Sequence, residues 1–302
     1  SWTEVNDLNT ARNELVGLGT QTAALGVNGY APPGYLNNCE YFNGTNWAEV
    51  AETNTTRSDM GAAGTYPAGL VFGGNSPPAP NTNAVESWNG SSWTEVNDMN
   101  TGRRALGGSG TSTAALGFGG NDGSGSAKTE SYNGSAWTEV NDLGTARGYL
   151  AGSIAGTNTV ALAFGGTPPV TTSTEEWSFS GLPPATPAAN YSDAIVGDIY
   201  YNSTSGAFKA VRSGGAAIGT WASAPSLNTD RESWAGAGGT STASMTFGGY
   251  PTTANTETFN GSAWTEVNNL NTARLGNAGS VNGSQTAMLC IAGQEPGASA
   301  KV

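Results

Sequence analysis

Histidine is absent from the 302 residues, and lysine occurs only as Lys128, Lys209 and Lys301. Without an imidazole, a Ser-His-Asp relay has no base. Eleven basic residues stand against 23 acidic ones, a net charge of −12. Such a surface repels phosphate backbones, so no nucleic-acid partner is expected. Cysteine is nearly absent too: Cys39 and Cys290 are too few for a metal cluster. They are expected as free thiols filling strands, with a disulfide as the alternative in an extracellular protein. No apolar run approaches the roughly 20 residues that span a bilayer as a helix. No charged-then-apolar leader is visible at Ser1, although a lost leader or a longer parent chain stays open.

What is present is glycine (45) and proline (14), with much Ser, Thr and Asn. That composition borders on low complexity, but regular tryptophans and apolar runs supply surface to bury. The pattern is periodic. Arg12, Arg57, Arg103, Arg147, Arg231 and Arg274 are separated by 45, 46, 44, 84 and 43 residues. A strand-rich period in the forties predicts a β-propeller with one blade per repeat. Each unit reads as four strands. The first is small ("ALGGSG", "LAGSIAG"), as crowding around a central channel requires. The second is apolar and ends in a glycine pair ("LVFGG", "LAFGG", "MTFGG"), which suits a strand covered on both faces. The third is "TESY", "VESW" or "TETF". An Asn-Gly pair follows, predicting a two-residue hairpin turn with both residues at positive φ. The fourth strand is "WTEV", with Trp93, Trp137 and Trp264 as its apolar payload.

The Gly-Gly doublet followed by an aromatic residue and a closing Trp resembles the kelch repeat, and covers nearly the whole chain. The spacing from Tyr132 to Trp137 is shorter than in typical kelch units, so the repeat is kelch-like. The resemblance implies an all-β propeller and little about activity. Some kelch-like propellers are copper oxidases, but the imidazole ligands that this needs are missing, and no cofactor or metal is expected. Residues 1–302 read as one propeller domain of six blades, with seven as the alternative. The last unit stops before its "WTEV" strand, and the chain begins with one. Ser1–Val5 is therefore expected to close the ring as a strand.

The long step between Arg147 and Arg231 holds an insertion, residues 182–220, between "STEEWSFSG" and Trp221. Its Pro-rich start is extended, and "GDIYYNSTSGAFKAV" reads as a β-hairpin. That stretch resembles a small module that recurs in bacteriophage tail and fibre proteins. Together with the Ser/Thr/Asn-rich blades, it makes the chain similar to virion proteins of marine phages. The resemblance implies a virion structural or recognition protein that binds a host-surface glycan or protein, or other virion proteins. A secreted bacterial adhesin and an extracellular glycan-processing enzyme are the alternatives, and a homo-oligomer stays open.

Four antiparallel strands per blade put the Gly-Gly loops and the "NDLNTAR" links on one face, and the Asn-Gly turns and the insertion on the other. The Gly-Gly loops differ between blades, and Tyr30, Tyr35, Asn81, Asp122 and Tyr250 are their candidate recognition residues. Tyr200, Tyr201 and Phe208 are the candidate assembly residues of the hairpin. A sialidase-type site would need clustered arginines holding a carboxylate. The six arginines instead recur at one place per blade beside repeated glutamates (Glu86, Glu130 and Glu257; Glu95, Glu139 and Glu266), so inter-blade structural ion pairs are expected. One Asp in "NDGSGSAK" is too few for a calcium loop. The sequons at Asn43, Asn89, Asn133 and Asn260 are explained as turns. No catalytic residues are assigned, and a non-enzyme is expected.

Overall fold

The computed structural model describes residues 2–153, 158–178, 199–202, 207–210, 219–280, 284–295 and 297–298. Among them there are strands, turns and bends, and no helix. Five four-stranded antiparallel sheets form the blades of a β-propeller-like arrangement. Blade 1 comprises β1 (Val16–Thr20), β2 (Ala23–Ala31), β3 (Gly34–Phe42) and β4 (Trp47–Val50). Blade 2 comprises β5 (Gly61–Thr65), β6 (Ala68–Phe72), β7 (Val85–Trp88) and β8 (Trp93–Val96). Blade 3 comprises β9 (Gly107–Thr111), β10 (Ala114–Phe118), β11 (Thr129–Tyr132) and β12 (Trp137–Val140). Blade 4 holds β13 (Ala151–Gly152), β14 (Val160–Phe164) and β15 (Thr174–Ser178). Then come the separate hairpin β16 (Ile199–Asn202) and β17 (Ala207–Ala210), and the fourth blade strand β18 (Thr220–Ala224). Blade 5 comprises β19 (Glu232–Thr240), β20 (Ala243–Tyr250), β21 (Thr256–Phe259) and β22 (Trp264–Val267).

Among the described residues the expected six blades are five. The last repeat contributes the pair β23 (Ala278–Gly279) and β24 (Cys290–Ile291), and a small hairpin of β25 (Gln294–Glu295) and β26 (Gly297–Ala298). β23 lies beside β19 on one side and β1 on the other. The expected closing strand at the N-terminus is not formed: residues 2–7 have no strand pairing, and Thr3, Glu4 and Val5 are exposed. The physical reason lies in the register. Every other "WTEV" strand pairs with a third strand, as Trp137 pairs with Tyr132 and Trp264 with Phe259. Among the described residues the last repeat offers no third strand to residues 2–5.

Small residues line the axis because the innermost strands nearly touch. A Cβ on Gly17 would lie 2.4 Å from Gly279 O, and one on Gly108 would lie 2.2 Å from Ala62 O. Between blades, a second-strand aromatic meets the tryptophan of the following blade edge-on. Phe72–Trp137, Phe118–Trp221 and Phe164–Trp264 have centroids 5.1, 5.0 and 4.9 Å apart. Trp2 meets Phe247 at 4.9 Å in the same edge-on way. These rings, with Leu25, Leu70, Leu116 and Leu162, form the clusters that hold neighbouring sheets together.

The Asn-Gly turns differ from the expected two-residue form. Asn133 N donates to Ala136 O, closing a four-residue connection in which Gly134 takes φ +93°. Asn133 Oδ1 accepts from the backbone N–H of Ser135 and Ala136 at 3.0 and 2.9 Å. The short amide side chain thus stands in for a backbone turn partner. Asn43, Asn89 and Asn260 repeat the arrangement.

Candidate functional site

The six repeated arginines lead to the face that carries the site. Each lies in the link that enters a blade, and five of them reach the third-strand glutamate of that same blade. Arg12–Glu40, Arg57–Glu86, Arg103–Glu130, Arg147–Glu175 and Arg231–Glu257 are 2.9, 2.7, 3.0, 2.5 and 2.5 Å apart, and all are buried. Of the expected glutamates, Glu86, Glu130 and Glu257 are indeed partners, while Glu95, Glu139 and Glu266 and the inter-blade role are corrected. The fourth-strand glutamates Glu95, Glu139 and Glu266 are exposed, and the pairs join a link to its own blade rather than two sheets. Burial pulls Arg12, Arg57, Arg103 and Arg231 below the ordinary arginine value, opposed by the paired glutamate. The guanidinium still stays charged, because that ordinary value lies far above neutral pH.

Two further partners make each pair a clamp. Asn54 offers its backbone N–H and its Nδ2 to Glu86 Oε2 at 2.7 and 2.9 Å. Asn9, Asn100 and Asn228 do the same at Glu40, Glu130 and Glu257. In blade 4 the place is taken by Gly144, and only its backbone N–H reaches Glu175. The arginines also donate to the Gly-Gly doublet: Arg57 Nη1 to Gly73 O, Arg103 Nη1 to Gly119 O and Arg231 Nη1 to Gly248 O. Arg274 Nη1 donates to Ala292 O, the equivalent carbonyl in the last repeat. The Asn of "NTAR" is a site residue that the period alone did not single out.

The clamp fixes the two loops of one face side by side. Residues that follow the arginines bridge to residues that follow the glycine pairs: Asn13 with Tyr30, Ser58 with Asn75, Arg104 with Asn121, Gly148 with Thr167. Links and Gly-Gly loops therefore share a face, as the strand count predicts. At the channel mouth on this face, a backbone belt runs from repeat to repeat. Glu14 N–H donates to Gly276 O, Asp59 N–H to Glu14 O, Ala105 N–H to Asp59 O and Tyr149 N–H to Ala105 O. Glu14, Asp59, Ala105 and Tyr149 all sit at φ between 51° and 54°. Bending each link into the left-handed region turns its N–H toward the preceding blade.

The belt encloses a cavity of about 110 Å³ lined by Glu14, Asp59, Gly108, Gly152 and Gly279, among others. Glu14 accepts from Ser58 Oγ at 3.0 Å. Burial pushes the Glu14 carboxyl above its usual range, while Ser58 and Arg104 act the other way. Tyr149 is pushed up by burial and then by Asp59. The sequence reading missed this group, because it is assembled from four different repeats.

The candidate recognition residues all belong to this face. Tyr30 and Tyr35 meet edge-on with centroids 5.3 Å apart, and Asn75 Nδ2 donates to Tyr35 Oη at 2.8 Å. These two rings are half-buried. Asn81 is half-buried as well, Asp122 is exposed, and Tyr250 is 47% exposed. Asp122 lies 3.5 Å from Lys128 Nζ. The five do not converge on one point: they come from loops of blades 1, 2, 3 and 5 spread around the mouth. Tyr200, Tyr201 and Phe208 lie on the β16–β17 hairpin, where Tyr201 faces Phe208 and Tyr200 faces Lys209 in register. Their side chains fall outside the described residues. Cys39 and Cys290 are both buried free thiols, each pushed up to about 12 by burial. Among the described residues no helix is long and apolar enough to cross a membrane. No family model matches the chain, and no curated protein is significantly similar to it.

Proposed function

We propose that the protein is a non-enzymatic structural and recognition component of a virion surface, in a tail, a fibre or the capsid exterior. In this reading the Gly-Gly loop face binds a host-surface glycan or protein, and the inserted hairpin docks the propeller onto other virion proteins. One observation carries the recognition half. Loops of differing sequence stand around one channel mouth, on a scaffold clamped by the same buried arginine–glutamate unit in blade after blade. Constant support beneath variable loops is the arrangement that recognition surfaces use. The virion assignment rests on the likeness of "GDIYYNSTSGAFKAV" to phage tail and fibre modules.

The test uses Asp122→Ala, which removes only a loop contact to Lys128 and Ser126, and Tyr250→Ala, whose ring is 47% exposed. Attachment of the labelled protein to host cells, or to a panel of host-surface glycans, is expected to fall while the melting curve stays put. Unchanged attachment would overturn the assignment of this face. A second reading, a glycan-processing enzyme, draws on the carboxyl of Glu14 held above its usual range at the mouth. Turnover of a polysaccharide that disappears in Glu14→Gln would favour it over pure binding.

A further inference from the structure

On the Gly-Gly loop face, the junction between blades 1 and 2 is built differently from the next one. β2 and β3 run for nine residues each, where β6 and β7 have five and four. The longer hairpin carries Tyr30 and Tyr35 as a register pair near its tip. Both rings are half-buried, and they meet edge-on at 68°. An edge-on contact uses the face of one ring and only the edge of the other, so one tyrosine keeps its faces clear of its partner. At the next junction, Arg104 and Asn121 form the backbone bridge that Ser58 and Asn75 form here, and the loop between β6 and β7 has no aromatic residue.

Polar groups close a circuit around this junction. Tyr35 Oη accepts from Asn75 Nδ2 at 2.8 Å. The backbones of Asn75 and Ser58 exchange hydrogen bonds of 2.8 and 3.0 Å, and Ser58 Oγ donates to Glu14 Oε2 at 3.0 Å. Asn13, next to Glu14, exchanges backbone bonds with Tyr30, which pairs back to Tyr35. The circuit consumes donors and leaves acceptors. Glu14 Oε1 and Asn75 Oδ1 take no hydrogen bond from the described residues, and neither is buried away from solvent. The Tyr35 hydroxyl, having accepted, still has its proton to give.

We propose that this junction is a carbohydrate subsite for an uncharged sugar, one that offers hydroxyl or acetamido groups and no carboxylate. This rests on the reading of the Gly-Gly loop face as the recognition surface, and assigns it one junction and one ligand class. Free acceptors call for a ligand rich in donors, and sugar hydroxyls supply them to Glu14 Oε1 and Asn75 Oδ1. The bond to Glu14 is the stronger of the two, because its acceptor carries the charge. The C–H face of a pyranose is apolar and fits against an uncovered tyrosine ring, while the phenol hydroxyl meets the polar rim of the sugar. Glu14 and Asp59 line the channel mouth alongside, and they repel a sialic acid or a uronate. Arg104 lies near Glu14 and Tyr149 there, one cation to two acids.

The probe is an array of oligosaccharides of glucose, galactose, mannose and N-acetylglucosamine, printed beside sialylated and uronate-containing ones and read with the labelled full chain. Binding is expected on the uncharged sugars alone. The best of them, followed by titration calorimetry, is expected to bind about tenfold more weakly to Tyr35→Ala. It is expected to bind several-fold more weakly to Glu14→Gln, which keeps an acceptor for Ser58. Both variants are expected to melt with the parent, and Glu14→Gln carries the test by itself if Tyr35→Ala melts early. Absence of binding to every uncharged sugar would overturn the proposal. So would a preference for the acidic sugars, or parental affinity in either variant that melts with the parent. The loop face stands or falls separately. Host attachment that Asp122→Ala and Tyr250→Ala weaken, by a protein that binds none of these sugars, would keep the face as a surface for protein recognition and discard the sugar subsite.

Discussion

Arg57 shows how much one side chain carries in this molecule. Its guanidinium binds Glu86 at 2.7 Å, and it also donates to the carbonyls of Gly73 and Ala84. Removing it strands a carboxylate that is itself buried. Breaking such a pair costs far more than the intact pair contributes over an apolar replacement. Arg57→Ala is expected to lower unfolding free energy by about 3–5 kcal/mol, measured by urea titration. Stability within about 0.5 kcal/mol of the parent would mean that solvent reaches the site. The cysteines give a second prediction at this scale. With both thiols pushed up to about 12, neither forms thiolate near neutral pH. A thiol reagent is expected to label them only as the protein unfolds, and rapid labelling of the native protein would contradict their burial. The position of the arginines was legible from the period. Their partners were not, because Glu86 and Glu95 recur with the same period and only the fold buries one and exposes the other.

At the scale of the element, the insertion is a branch off an intact blade. β15 pairs with β18 across it, with Trp177 opposite Trp221. Gly219 lies against Trp177 so closely that an added Cβ would fall 2.2 Å from the ring. Deleting Leu182–Gly219 and joining Gly181 to Thr220 puts a glycine back in that place. The shortened protein is therefore expected to keep the melting temperature of the parent to within a few degrees, read by circular dichroism. A collapse of the transition would show that the insertion props up blade 4. The hairpin itself was legible, since two runs of strand-forming residues flank the turn-forming cluster "NSTSG". The Asn-Gly turns were half legible. Glycine at positive φ followed from the residue type, but the asparagine serves as an acceptor for two N–H groups rather than as a second left-handed residue.

For the whole molecule the question is how the two ends of the chain meet the repeat. Trp2 packs on Phe247 with the geometry of the inter-blade tryptophans, yet the residues after it are not a strand. Trp2→Ala is expected to lower Tm by several degrees through lost packing between blade 5 and the last repeat. An unchanged Tm would reduce Trp2 to a surface ornament. The same substitution leaves the Gly-Gly loop face untouched, so attachment through that face should survive it.

Period, strand type and the identity of the repeated residues were determined by the sequence alone. Each follows from local chemistry: small residues where backbones crowd, apolar runs where both faces are covered, glycine where φ turns positive. The blade count, the ion-pair partners and the belt of Glu14, Asp59, Ala105 and Tyr149 were decided only by the tertiary structure. A blade is complete only when a third strand is there to receive the fourth, and the motif "WTEV" cannot report whether its partner exists. The belt draws Glu14, Asp59, Ala105 and Tyr149 from four different repeats, so nothing within a single repeat marks it. Such a group arises only when the repeats are curved around a common axis.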